Sequence, residues 1–132
     1  MRITDYKTDR HCKYNIRIHV VFCPKYRRPV LVNGIETRCE EIIREVCKEK
    51  DVDVLALNVM PDHVHLLLNI PPSVGLHKIV KAIKGRSSRY LREEFPELKR
   101  KIPTLWTHSY FASSVGGGQE KASYQYIEMQ KA

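Results

Sequence analysis

Only Pro61 and Asp62 separate two runs of strand character, one over about 52–60 and one over 63–70. Proline presets the backbone for a turn and Asp bonds its own backbone there, so Met60-Pro61-Asp62 reads as a tight turn. Two strands so closely joined are expected to form an antiparallel hairpin. A helical pattern lies on each side of that hairpin, which leaves few arrangements open.

Upstream, Tyr14, Ile16, Ile18, Val20 and Phe22 alternate with Asn15, Arg17 and His19, the period of a strand. Pro24 ends it, and the basic stretch Lys25-Tyr26-Arg27-Arg28-Pro29 is expected as a loop. A helix follows over about 34–50, with Ile35, Cys39, Ile42, Ile43 and Val46 at helical spacing. Downstream, Ser73 is expected to cap a second helix over about 74–95. Its apolar stripe is Leu76, Ile79, Val80, Ile83, Ser87, Tyr90 and Leu91, with Lys78, Lys81, Lys84, Arg89 and Arg92 mostly off it. Pro96 and Pro103 bracket a charged loop, 105–113 reads as a last strand, and Gly116-Gly117-Gly118 form a flexible joint before a short helix over 119–131. This order implies one α+β domain, an antiparallel sheet with helices packed on it, closest to the ferredoxin-like split unit.

Function classes narrow through charge. The 132 residues carry 23 Lys+Arg against 15 Asp+Glu, a formal net charge of +8, which favours a polyanion. No run of 18 apolar residues exists to span a membrane, and positions 1–13 carry no signal-peptide core. Cys12, Cys23, Cys39 and Cys47 fit no zinc spacing and read as reduced thiols in the cytoplasm. No phosphate-binding G-x-x-x-x-G-K-[ST] motif occurs, so no nucleoside triphosphate is expected.

His63 and His65 lie two apart in a strand, so both imidazoles leave the same face while Val64, Leu66, Leu68 and Ile70 take the other. Two neutral imidazoles side by side can bind a divalent metal, although two exposed strand histidines are also ordinary surface residues. Tyr126 and Gln130, four apart on a helix, share one stripe about 40° wide, so the amide can supply an oxygen ligand beside a reactive phenol. Tyr124 stands about 120° from Gln130 and is expected to pack instead.

Met60-Pro61-Asp62-His63-Val64-His65-Leu66-Leu67 resembles the HUH signature, and the stretch Tyr14 through Leu31, with His19 and Lys25-Tyr26-Arg27-Arg28-Pro29, resembles the first strand of the single-tyrosine HUH transposases. Trp106 through Gly117 and Tyr126-Ile127-Glu128-Met129-Gln130 are similar to the last strand and catalytic helix of those TnpA-type enzymes, which move small insertion sequences as single-stranded DNA. The resemblance spans nearly the whole chain in the same order and implies a ferredoxin-like/RRM-like HUH domain. It implies His63, His65 and Gln130 as metal ligands, Tyr126 as nucleophile, and a 5′-phosphotyrosine intermediate that conserves bond energy for rejoining. It also implies recognition of DNA hairpins and a homodimer, here with Tyr126 of one subunit expected to meet His63 and His65 of the other.

Two imidazoles and an amide oxygen form a mixed set, so Mn²⁺ is expected to serve at least as well as Mg²⁺. Lys25, Arg27 and Arg28, with Lys81, Lys84 and Arg89 of the second helix, are expected on DNA phosphates, and Tyr26 on an unpaired base. The competing readings are a non-catalytic single-strand-binding module, a hydrolase in which water attacks, and a domesticated or replication-type HUH endonuclease.

Overall fold

The structure, a computed structural model, describes residues 7–9, 11–115 and 119–130, with side chains except at 119–123. The glycine joint and Lys131 therefore lie outside the described residues. The short strands β1 (Lys7–Thr8) and β2 (Lys13–Tyr14) pair as a small ribbon ahead of the main sheet. The sheet comprises β3 (Arg17–Phe22), β4 (Asp53–Met60), β5 (His63–Asn69) and β6 (Phe111–Ser114) in the order β4-β5-β3-β6, every neighbour antiparallel. Helix α1 (Ile35–Glu49) links β3 to β4, and α2 (Leu76–Glu94) with the short α3 (Pro96–Lys101) links β5 to β6. This is the expected ferredoxin-like α+β arrangement, with the hairpin β4-β5 between the two long helices. Helix α4 (Gln119–Met129) follows the last strand.

Alternation sorts the strands into two unlike faces. Val20 and Phe22 of β3 lie opposite Leu66 and Val64 of β5, and all four are fully buried with Ile42, Ile43 and Val46 of α1 and Ile79, Ile83 and Leu91 of α2. Each such side chain contributes about 1.5–3 kcal/mol on leaving water, which is why the apolar stripes of both helices lie on this face. Val21 and Cys23 point the other way and meet Ile127 of α4, with Phe111 and Tyr126 packed against them. The sheet thus separates α1 and α2 from α4.

Four expectations change. The first strand breaks at Asn15-Ile16, because the Ile16 N–H turns to the Asn69 side chain instead of continuing the ladder. Ser73 is exposed and does not cap α2, which begins at Leu76 after Gly75. The segment between Pro96 and Pro103 is helical: Pro96 takes the first helical position, where its missing N–H is no loss. Residues 105–110 make only the bridge of Trp106 to Pro24, so the last strand is shorter than expected. Trp106 is drawn toward the helices, edge-on to Phe22 with its indole N–H donating to Ser87 Oγ at 3.0 Å. All four cysteines are free thiols. No described helix is long and apolar enough to cross a membrane.

Candidate active site

His63 and His65 project from β5 on the face away from the core, since Val64 and Leu66 between and beside them are buried. His65 lies opposite Val21, the residue on which Ile127 of α4 packs. The histidines and the tyrosine-bearing helix therefore share one face of the sheet, one strand apart. The expectation that Tyr124 packs is corrected: it is 71% exposed, because this short helix buries Ile127 toward the sheet.

The turn before β5 orients the first histidine. Asp62 Oδ1 lies 2.8 Å from His63 Nδ1, and Asp62 Oδ2 accepts a bond from Arg27 Nε at 2.7 Å. Burial works to raise the Asp62 pKa, but the bonds from His63 and Arg27 outweigh it and hold the carboxyl below its usual range. An ionised carboxylate only accepts, so His63 Nδ1 carries the proton and Nε2 is left as a lone-pair donor. Arg27 Nη1 also donates to Glu128 of α4 at 3.0 Å, tying the tyrosine helix to the histidine turn. Arg27 and Tyr26 both occupy left-handed backbone, at φ 54° and 59°, in a short 3-10 turn over Lys25–Arg27. Non-glycine residues held there cost of order 1–3 kcal/mol, which the Arg27 ion pairs help to offset.

His19 was not among the expected site residues. Its ring stacks on His65 with centroids 5.2 Å apart and planes 7° from parallel. The signal was present, since His19 sits on the polar alternation of β3, but its partner strand was needed to reveal the neighbour. Burial, then the nearby His19 and His63, lower the His65 pKa and favour the neutral imidazole that binds metal.

Tyr126 is half-buried. Its phenol shares a 2.8 Å hydrogen bond with Ser109 Oγ, and its ring lies 6.1 Å from that of Phe111. Burial raises its pKa, and the Ser109 and Thr107 hydroxyls work against that. Lys25, Tyr26, Thr107, His108, Ser109 and Gln130 line an open cavity of about 310 Å³ beside it. Two of the expected DNA-contacting residues, Lys25 and Tyr26, thus share a cavity with the third expected ligand. Gln130 Nε2 donates to the Tyr126 carbonyl at 3.1 Å, folding the carboxamide along its own helix.

The remaining basic residues divide. Arg28 donates to the Lys101 carbonyl, and Lys84 Nζ to the carbonyls of Thr107 and Ser109 at 2.6 and 3.0 Å. Lys81 and Arg89 are exposed on α2, in the layer across the sheet from the histidines. The second helix stands in that layer because its apolar stripe commits it to the core face.

The donor set fits a divalent ion. It offers His63 with its Nε2 free and a desolvated, neutral His65; among the described residues no third His, Cys, Asp or Glu joins them. A divalent ion there would need further neutral or anionic oxygens to complete its coordination.

A family profile described as "Transposase IS200 like" matches residues 12–130. The chain is 36% identical over 126 residues to the ISDra2 transposase TnpA of Deinococcus radiodurans, covering 94% of this chain and 90% of that one. It is 34% identical over 128 residues to the IS200 transposase of Salmonella typhimurium, covering 96% and 84%. Among solved structures, a transposase candidate from Deinococcus radiodurans R1 superposes with a TM-score of 0.89 at 36% identity, over 96% of this chain and 98% of that one. A REP-associated tyrosine transposase bound to a REP hairpin matches with a TM-score of 0.60 at 11% identity, over 95% and 76%, a likeness of fold alone.

Proposed function

This chain belongs to the IS200-like transposase family, and from that premise we propose that it cleaves and rejoins single-stranded DNA through a covalent bond between Tyr126 and a 5′-phosphate. The observation that carries the reading is the seating of Tyr126 on the sheet face that bears His63 and His65, with Arg27 bonded to both Asp62 and Glu128.

In this reading the Tyr126 oxygen attacks the scissile phosphorus in line and the 3′-oxygen leaves, taking up a proton. A free 3′-OH later attacks the phosphotyrosine, and the phenol departs and regains its proton. His63, His65 and Gln130 would hold a divalent ion, which would supply charge neutralisation and polarisation at the phosphate, with Mn²⁺ expected to serve at least as well as Mg²⁺. The chain's own groups do the rest. Asp62 fixes the His63 ring, and Ser109 holds the phenol oxygen and works against the effect of burial on it. Orientation of this kind lowers the barrier because the attacking atom is already placed. Lys25 and Tyr26, on the open cavity beside Tyr126, are suited to a phosphate and an unpaired base respectively. The DNA partner is a single strand with hairpin ends, and the active protein is a homodimer.

The test incubates end-labelled single strands carrying hairpins with the protein and Mn²⁺, then denatures in SDS. The expected result is a labelled protein–DNA adduct, lost in Tyr126→Phe while DNA binding persists. Cutting without an adduct would assign the attack to water, and binding without cutting would make the chain a single-strand-binding module.

A further inference from the structure

Lys84 finds its partners in a loop rather than in a carboxylate. It rises from α2 on the helix side of the sheet, passes 5.9 Å from the centre of the Phe22 ring, and donates to the Thr107 and Ser109 carbonyls. Those residues belong to the irregular stretch that leaves the sheet after Trp106. The same stretch presents the Ser109 hydroxyl to the Tyr126 phenol at 2.8 Å. Thr107 Oγ1 also donates to the Ser109 carbonyl at 3.2 Å, closing the segment on itself. Apart from Lys84, the Thr107 N–H bond to the carbonyl of Cys23, the residue after β3, anchors it at 3.0 Å.

We infer that Lys84 is a positioning residue of the reaction, its ammonium pinning the 107–109 segment so that Ser109 seats the Tyr126 phenol, and that it does not bind DNA. An ammonium is suited to this: it has three donors, two of them used here, and bonds from a charged donor to a carbonyl are about twice as strong as neutral ones. Carbonyls at 107 and 109 are left without a ladder partner by the short last strand, so one side chain satisfies both. Only the third donor is left for a phosphate, and the ammonium stands on the helix side of the sheet, away from the histidines and α4. Burial lowers Lys84 to about 8, and the neighbouring Cys23 works against that. The segment thus connects the core layer to the nucleophile: α2 holds Lys84, Lys84 holds the loop, and the loop holds Tyr126.

This rests on Tyr126 being the nucleophile, so the closing experiment separates the two ideas. Wild type, Lys84→Met, Lys84→Arg and Ser109→Ala are compared by hydroxyl-radical footprinting with mass-spectrometric readout, without DNA. Exposed Tyr124 is the internal reference for half-buried Tyr126. Labelling of Tyr126 relative to Tyr124 is expected to rise in Lys84→Met and in Ser109→Ala, and to return toward wild type in Lys84→Arg. In parallel, adduct formation at saturating DNA is expected to fall about ten- to a hundredfold in Lys84→Met, with DNA affinity and its salt dependence unchanged. An unchanged Tyr126 labelling ratio in both Lys84→Met and Ser109→Ala overturns the inference. So does a shallower salt slope in Lys84→Met, since a lost phosphate contact lowers that slope by about 0.7 for a single strand. If the footprint behaves as expected and wild type forms no adduct, the seat stands and the assignment of Tyr126 as nucleophile falls.

Discussion

Asp62 Oδ1 accepts a hydrogen bond from His63 Nδ1 at 2.8 Å, and this contact leaves Nε2 as the nitrogen with a lone pair to offer. The carboxylate is itself fixed by Arg27, so the ring cannot turn without losing its hydrogen bond to Asp62. Asp62→Asn is expected to weaken Mn²⁺ binding about 10- to 100-fold, as loss of such an orienting partner does. Calorimetric titration of the DNA-free protein measures it, and an unaltered affinity would show that His63 is oriented by other means.

Among the side chains described on α4, Ile127 is buried against the sheet while Tyr124 and Met129 are exposed. In a symmetric homodimer the same contacts can form on the partner's sheet, with the three glycines before α4 as the crossing point. Mixing Tyr126→Phe chains with His63→Ala chains is therefore expected to restore adduct formation that neither chain shows alone. Failure to recover would place each site within one chain.

Ser87 sits at the centre of a buried chain of hydrogen bonds, accepting from Trp106 Nε1 and donating to the Ile83 carbonyl at 2.6 Å. Ser87→Ala strands the indole N–H in the core. The expected loss is about 1–3 kcal/mol, the penalty for an unsatisfied buried donor. Urea unfolding reads it, and Trp106→Phe in the Ser87→Ala background is expected to return part of the loss by removing that donor.

Stability should decline in alkali. Burial pushes the Cys23 and Cys39 thiols up to about 12 and Cys47 to about 11. Unfolding returns them to about 8.5, so above about pH 9 the unfolded chain releases protons that the folded chain keeps, and folding weakens as pH rises. Lys84 acts in the opposite sense: lowered to about 8, it binds less proton folded than unfolded, and its contribution improves with pH over the same window. Three thiols outnumber one amine, so the urea midpoint is expected to drop between about pH 8 and pH 10.5. A midpoint that rose would mean the thiols titrate normally in the folded state.

The sequence by itself determined the sheet, the helices packed on it and the identity of the candidate groups. Period two over Ile18 to Phe22 and over His63 to Ile70, and period 3.6 over Ile35 to Val46, are local consequences of which side chains must leave water. The same alternation put both histidines on one face, because their spacing leaves no other choice. Tertiary structure decided which groups work together. Nothing in the spacing tells that His19 stacks on His65, that Arg27 bonds at once to Asp62 and Glu128, or that Ser109 meets Tyr126, since each pair joins separate elements. It also decided what the basic residues do. A lysine on a helix looks the same in sequence whether solvent, phosphate or a neighbouring carbonyl receives its proton, and only the path of residues 105–110, drawn inward by the burial of Trp106, gives Lys84 two carbonyls to hold.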